Sequence, residues 1–377
     1  MPLSPNPRIE SLQICLHGGP DYAELESMGI SPEDVVDFSV GSNPFGIPDG
    51  MRDTLSTVSI DRYPDSEATE LRRCLAEKLG ILPENIVAGN GAVEIIRLIA
   101  LAYFGPEDPV LIVEPTFGEY EVACRIAGSR VVKQMMKADE GFRLDVEETI
   151  DLIHRYHPRG VFICNPNNPT GHYLARSEVE QVLDACQDSL LVLDEAYIAF
   201  VDQAWSSLDM VQGNNLIVLR SMTKEYALAG LRLGYAIAHQ EVIGAIRKVC
   251  PPWNVNAMAQ RAGVLALDKA GLPMHSKASL RAAKEFLVTE LSQMGLPPLP
   301  SRANFFLVKV GNARRFRHNL LLRGFLVRDC SSFGLPEYVR IALRTMPECQ
   351  RLIAAIKNIT HPSTESCNNE LPGAIDG

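Results

Sequence analysis

No stretch of this chain approaches the roughly 20 consecutive apolar residues that a membrane helix needs. Positive charge is also scarce: 36 lysines and arginines face 46 acidic residues, giving a formal net charge of −10 without any basic run. A nucleic-acid partner needs a basic face to neutralise phosphates, so that class is excluded. The nine cysteines, at 15, 74, 124, 164, 186, 250, 330, 349 and 367, are odd in number and form no CxxC or Cys/His ligand spacing. They read as reduced thiols, not as a disulfide framework or a metal site. The opening MPLSPNPRIE lacks the charged-then-apolar pattern of a secretion signal, so the expected location is cytoplasmic. What remains is an ordinary globular composition, 46% hydrophobic and 22% charged, over 377 residues. That length suffices for two domains, or for one large domain with an appendage.

Short apolar runs recur between amphipathic stretches: VLIVE at 110–114, GVFIC at 160–164, SLLVLD at 189–194, NLIVL at 215–219 and LGYAIA at 233–238. Each reads as a strand buried on both faces, and patterns such as RSEVEQVLDACQ at 176–187 read as the covering helices. Alternation of this kind predicts an α/β fold with a mostly parallel sheet between helices. The last third differs. A helical stretch around 277–294 precedes ANFFLVKV, GFLVRDC and EYVRIAL and then a final helix near 347–357, an α+β pattern expected to form a smaller C-terminal domain. The expected boundaries are an N-terminal segment over 1–45, a large domain over 46–270, a small domain over 271–359 and a polar, disordered tail over 360–377.

Parallel sheets bind ligands beyond the carboxyl ends of their strands, so the loops there carry the chemistry. After GVFIC comes NPNNPTG, a rigid turn that can present the Asn168 amide inward. After SLLVL comes DEAY, where Asp194 is either a helix N-cap or a buried carboxylate needing a partner, with Tyr197 close by. The AGNGAVEII segment at 88–96 opens a helix whose N-terminus suits an anion, although no strong strand appears to the eye before it and GNG alone is weak. Lys224, in RSMTKEYALAGLRLGYA, is either a solvated turn residue or an amine held among Ser221, Thr223 and Arg232, which suit a phosphate dianion. An imine-forming lysine, a carboxylate, an amide, a phenol and a phosphate cup are together the inventory that pyridoxal phosphate requires.

NPNNPTG, DEAY and SMTK with GLRLGY resemble the fold-type I pyridoxal-phosphate enzymes of the aspartate aminotransferase superfamily, aminotransferase class I/II, over about residues 16–357. The resemblance implies a large domain built on a seven-stranded, mostly parallel sheet. It implies that Lys224 carries the cofactor aldehyde and shuttles protons, that Asp194 pairs with the pyridine nitrogen, and that Asn168 and Tyr197 bond the ring hydroxyl. Phe117 would stack on the ring, while the backbone of Ala92 and Val93 would hold the phosphate with Ser221, Thr223 and Arg232. Tyr63, in DRYPDS, matches a tyrosine that reaches the neighbouring subunit's phosphate and so implies a homodimer.

Two relatives compete. LHGG at 16–19, DFSVGSNPFGIP at 37–48, CPPWNVNAMAQ at 250–260 and RDCSSFGLPEYVRIALR at 328–344 look like threonine-phosphate decarboxylase of cobalamin biosynthesis. The expected reaction is therefore that of a lyase, decarboxylation of O-phospho-L-threonine to aminopropanol phosphate and carbon dioxide. Histidinol-phosphate aminotransferase is the alternative, and a protein that merely binds the cofactor is the remote one. On the resemblance, Arg340 takes the substrate carboxylate and Arg328 the substrate phosphate, with His17 either joining Arg328 or lying idle at the surface. Arg344 is the weaker candidate. Which bond to Cα breaks is not set by these motifs.

Overall fold

The structure, a computed structural model, describes residues 3–10, 12, 14–213, 215–269 and 274–360. In chain order the strands are β1 (Val36–Asp37), β2 (Ile86–Asn90), β3 (Pro109–Glu114), β4 (Arg130–Met135), β5 (Gly160–Cys164), β6 (Leu190–Asp194), β7 (Leu216–Ser221), β8 (Leu233–Ile237), β9 (Phe305–Lys309), β10 (Phe325–Leu326), β11 (Arg328–Asp329) and β12 (Tyr338–Ala342). The five apolar runs become β3, β5, β6, β7 and β8 of one seven-stranded sheet, ordered β2-β8-β7-β6-β5-β3-β4. The sheet is parallel except for β8, which runs antiparallel to both β7 and β2.

Side chains alternate across a strand, so each run feeds two cores. Leu111, Val161, Ile163, Leu191, Leu193 and Val218 pack on one face. Val110, Ile112, Phe162, Val192, Ile217 and Leu219 pack on the other. Register then aligns the strand ends: Cys164 is level with Asp194, and Asp194 with Leu219. The loops that follow β5, β6 and β7 therefore start side by side.

One expectation needs correction. A strand does precede the GNG turn: IVAGN is β2, paired on one side only, with β8. It escapes notice because an edge strand of five residues that ends Gly-Asn carries little β-signal.

Beyond residue 273, the helix Met274–Gln293, the sheet β11-β12-β9 and the helix Met346–Thr360 enclose a further core of Leu287, Phe306, Val339 and Leu352. The N-terminal segment adds to this part, with β1 pairing β10 in parallel and Phe38 entering the same core. The tail expected to be disordered lies, from residue 361, outside the described residues. No helix among the described residues is long and apolar enough to cross a membrane.

Beneath the loops, Glu195 follows β6 and is almost wholly buried, and its Oε2 accepts from Arg220 Nη2 at 2.8 Å and Nε at 3.0 Å. Removing one partner of such a pair strands a buried charge. Arg220→Met is expected to destabilise the protein by about 3 kcal/mol or more, read as a lower urea midpoint at unchanged slope.

Candidate active site

The loops at the strand ends meet in one cavity lined by Ala92, Val93, Phe117, Asn168, Asp194, Tyr197, Ser221, Thr223, Lys224 and Arg232. It opens into a cleft of about 810 Å³ that Asn168, Lys224 and Arg232 share with His17, Arg328 and Arg340. Of the residues singled out from the sequence, Tyr63 is not brought here. Its exposed ring stacks on Trp253, 4.2 Å between centroids. Arg344 also stays away, bound to Glu348 at 2.7 Å.

Lys224 belongs to a single helical turn, Met222–Glu225, at the end of β7. The GSNPFG segment braces that turn. Ser42 Oγ donates to the Thr223 carbonyl at 3.0 Å, and the Asn43 backbone N–H donates to the Lys224 carbonyl at 2.9 Å. Lys224 is half-buried, with its Nζ 5.7 Å from the centre of the Tyr197 ring. Tyr197 itself is fixed edge-on against Phe305 at 4.8 Å.

Asp194 is buried at the end of β6, and its partners within the chain are neutral. Tyr120 donates its hydroxyl to Oδ2 at 2.7 Å and the Ala196 N–H donates to Oδ1 at 2.9 Å. Burial pushes the carboxyl above the usual carboxylate range, while these two donors and, more weakly, Lys224 pull it back. In the NPNNPTG loop, Asn165 Oδ1 accepts from Leu174 N–H at 2.8 Å and Asn167 bridges Thr116 and Pro115, which leaves Asn168 to face the cleft.

At the opposite end, the helix Gly91–Tyr103 presents its N-terminus to Arg232, and Ser221 and Thr223 share a 2.7 Å hydroxyl bond. Gly91 has φ +78°, and a Cβ there would stand 2.9 Å from Arg232 Nη2. A Cβ at Gly234 would stand 2.6 Å from the Ala92 nitrogen. Small residues thus keep a cradle open between backbone amides, two hydroxyls and a guanidinium, and that donor set fits a phosphate. With a carboxylate, an amine and this cradle all lining one cavity, the donor set fits pyridoxal phosphate.

Arg328 and Arg340 are Cα partners on β11 and β12, and both are buried. Arg340 donates to Asn168 Oδ1 and, at 2.6 Å, to the Ser39 carbonyl. Arg328 donates to the carbonyls of His17 at 2.7 Å and Leu16 at 2.5 Å, and to Ser332 Oγ at 2.7 Å. Among the described residues neither arginine has an acidic partner within 4.0 Å. The His17 ring turns instead to Glu119, with Nε2 3.0 Å from Oε1, and Arg97 holds the other oxygen at 3.2 Å.

Sequence reasoning missed Tyr120 and Glu119. Both stand in EPTFGEY beside Phe117, and the only signal was that aromatic and acidic residues cluster just after β3. It also found no ligand spacing, yet Cys15 Sγ, His17 Nε2 and a Glu119 oxygen lie within 4.8 Å of one another.

The model of "Aminotransferase class I and II" matches residues 33–356. The histidinol-phosphate aminotransferase of Moorella thermoacetica is 34% identical over 93% of this chain and 92% of its own. Among solved structures, L-threonine-O-3-phosphate decarboxylase from Porphyromonas gingivalis superposes with a TM-score of 0.76 at 29% identity, covering 85% of this chain and 98% of that one. Histidinol-phosphate aminotransferase from Sinorhizobium meliloti in complex with pyridoxal-5'-phosphate gives a TM-score of 0.84 at 24% identity, covering 94% and 96%, and so shares the fold.

The expectation of a threonine-phosphate decarboxylase, a lyase of cobalamin biosynthesis, is overturned by this comparison. Curated relatives at 32–36% identity carry the name histidinol-phosphate aminotransferase. The segments that suggested the decarboxylase divide between the cofactor site and the substrate cleft. GSNPFG braces the Lys224 turn and Asn254 of CPPWN donates to Glu94 at 2.7 Å. LHGG supplies the carbonyls that hold Arg328, and 328–344 carries Arg328 and Arg340 themselves. The presence of these residues does not select which bond breaks. By the match over 33–356 and by its relatives, this chain belongs to the aminotransferase class I and II family of pyridoxal-phosphate enzymes.

Proposed function

We propose that this protein is a histidinol-phosphate aminotransferase, exchanging an amino group between histidinol phosphate and 2-oxoglutarate. The observation that carries the reading is the pair Arg328 and Arg340: two adjacent buried guanidiniums, without acidic partners among the described residues, in the cleft that Lys224 enters. Buried cations need anions. Amino transfer must admit two substrates in turn to one site, one with a phosphate and one with carboxylates, and a paired guanidinium site serves both by forked hydrogen bonds. The names of the curated relatives support the same reading.

The residues that would hold pyridoxal phosphate are Lys224 for the aldehyde, Asp194 for the ring nitrogen, and Asn168 and Tyr197 for the ring hydroxyl. Phe117 would cover the ring face, and the Ala92 and Val93 backbone with Ser221, Thr223 and Arg232 would hold the phosphate. When bound, the cofactor supplies an aldehyde that captures amines and a ring that accepts the electron pair of the bond to Cα. With the cofactor bound, Lys224 would take the Cα proton of the substrate at Nζ. Tyr120 and the Ala196 N–H offset part of the burial that raises the Asp194 carboxyl. Arg340, anchored by Asn168 and Ser39, and Arg328, anchored by the N-terminal segment, orient the substrate so that the bond to hydrogen is the one exposed to the lysine. The reading includes a large part over 46–270, a small part over 271–359 and an N-terminal segment over 1–45 that joins the small part and the active site. It also includes a homodimer in which Tyr63, absent from its own cleft, completes the phosphate cradle of the other subunit.

Glutamate should form when pure protein is given histidinol phosphate and 2-oxoglutarate; its absence in cofactor-loaded protein would sink the proposal. Lys224→Ala should lower that rate by on the order of 10³-fold or more, and borohydride reduction should fix the cofactor to Lys224 in the parent only. Arg328→Gln is expected to raise KM for histidinol phosphate by about tenfold or more. Tyr120→Phe removes a donor to the Asp194 carboxylate, so the carboxyl pKa rises further. The acid limb of the kcat profile should shift to higher pH, and an unmoved limb would separate Tyr120 from Asp194. Sedimentation should show a dimer, and Tyr63→Phe should weaken cofactor retention without splitting it.

A further inference from the structure

A second cavity, of about 150 Å³, lies where the helix Met274–Gln293 meets the segments around Asp202 and Ser301–Asn304. It contains neither Lys224 nor either substrate arginine. Four cations line it, Lys277, Arg281, Lys284 and Arg302, against one carboxylate, Asp202. This local excess of three positive charges stands in a chain whose net charge is −10.

The existing contacts do not use up the donors. Asp202 binds Arg281 Nη2 at 3.1 Å through Oδ2, while Arg302 Nη2 reaches only its backbone carbonyl, at 2.8 Å. Lys284 donates to the carbonyls of Ser301 at 2.5 Å and Ala303 at 3.0 Å, which leaves the third N–H of its ammonium free. Asn304, 1% exposed, forms part of the wall, and both its Nδ2 and its Oδ1 lack hydrogen-bond partners. Buried amides are nearly always satisfied, so the Asn304 amide in this wall keeps hydrogen-bonding capacity in reserve, with its Oδ1 lying toward Gly41.

We propose that this cavity binds a small multivalent oxyanion of the phosphate or phosphomonoester class, apart from the substrate cleft. The volume falls below the ~300–1,000 Å³ of sites for larger organic ligands, which restricts the occupant to one compact anionic group. Guanidinium and ammonium donors converging from two chain segments match the several oxygens of such a group better than the two of a lone carboxylate. Its occupant would tie the helix Met274–Gln293 to the segment after β6, where Tyr197 resides. Asn304 links the two regions: it lines this cavity and directly precedes Phe305, whose ring packs edge-on against Tyr197 at 4.8 Å.

The charge of the cavity depends on pH. Burial, and after it the neighbouring Arg302, pushes Lys284 down to about 8, against the opposite pull of Asp202. Lys277, Arg281, Arg302 and Asp202 face the same space. One positive charge is thus lost as pH rises through about 8.

The test is calorimetric titration of the cofactor-saturated protein with inorganic phosphate, performed in the Arg328→Gln variant to remove competition from the substrate cleft. Binding should appear at pH 7, weaken at least tenfold in Lys277→Gln/Arg281→Gln, and weaken in the parent between pH 7 and 9.5. Arg281 is exposed, so Arg281→Glu alone should fold and lower the affinity in the same direction. No phosphate binding in Arg328→Gln, or equal affinity with and without the Lys277 and Arg281 charges, would overturn the proposal.

Discussion

A sheet buried on both faces cannot carry polar side chains along its length, and most of this molecule follows from that constraint. β5, β6 and β7 have apolar residues at almost every position because each face supports a packed core. The polar groups that chemistry requires are therefore expelled to the strand ends, and the register of the ladder decides which of them become neighbours. With Cys164, Asp194 and Leu219 level, an amide-bearing turn, a carboxylate and a lysine arrive together although they stand tens of residues apart in the chain. Two carboxylates that remain under the loops have partners, Glu195 in Arg220 and Asp194 in Tyr120.

This constraint also explains what was legible beforehand. Runs such as LLVLD announce themselves because a doubly buried strand has no freedom to include charge, and the residue that ends the run is marked by contrast. Lys224, Asp194 and Asn168 were readable for that reason. β2 was not, since an edge strand is under weaker compositional constraint. Tyr120 was hidden for another reason. It acts through a helix that crosses back over the sheet, and its bond to Asp194 spans 74 residues that no local pattern connects. The adjacency of Arg328 and Arg340 is a matter of register between two strands, which spacing alone does not fix.

The choice of reaction was the least legible feature. Lysine, carboxylate and phosphate cradle are common to enzymes that break different bonds at Cα. The segments that looked diagnostic brace the Lys224 turn or carry and hold the two substrate arginines, groups that enzymes breaking either bond can use. Discrimination resides in how substrate is held relative to the lysine. That is a matter of fractions of an ångström at Arg328 and Arg340, not of which residue types are present.

The hold on Arg328 has a consequence of its own. Its two terminal nitrogens already donate to the carbonyls of Leu16 and His17, so the N-terminal segment behaves as a resident ligand of the guanidinium. An incoming anion that needs those donors must exchange with peptide oxygens instead of filling empty space. The measured affinity is then a difference between a charged partner and a neutral one. Neutral molecules of similar shape gain little from the exchange, because they offer the arginine nothing better than the carbonyls it already has. The backbone of residues 16 and 17 in this way sets a threshold of charge for admission to the cleft.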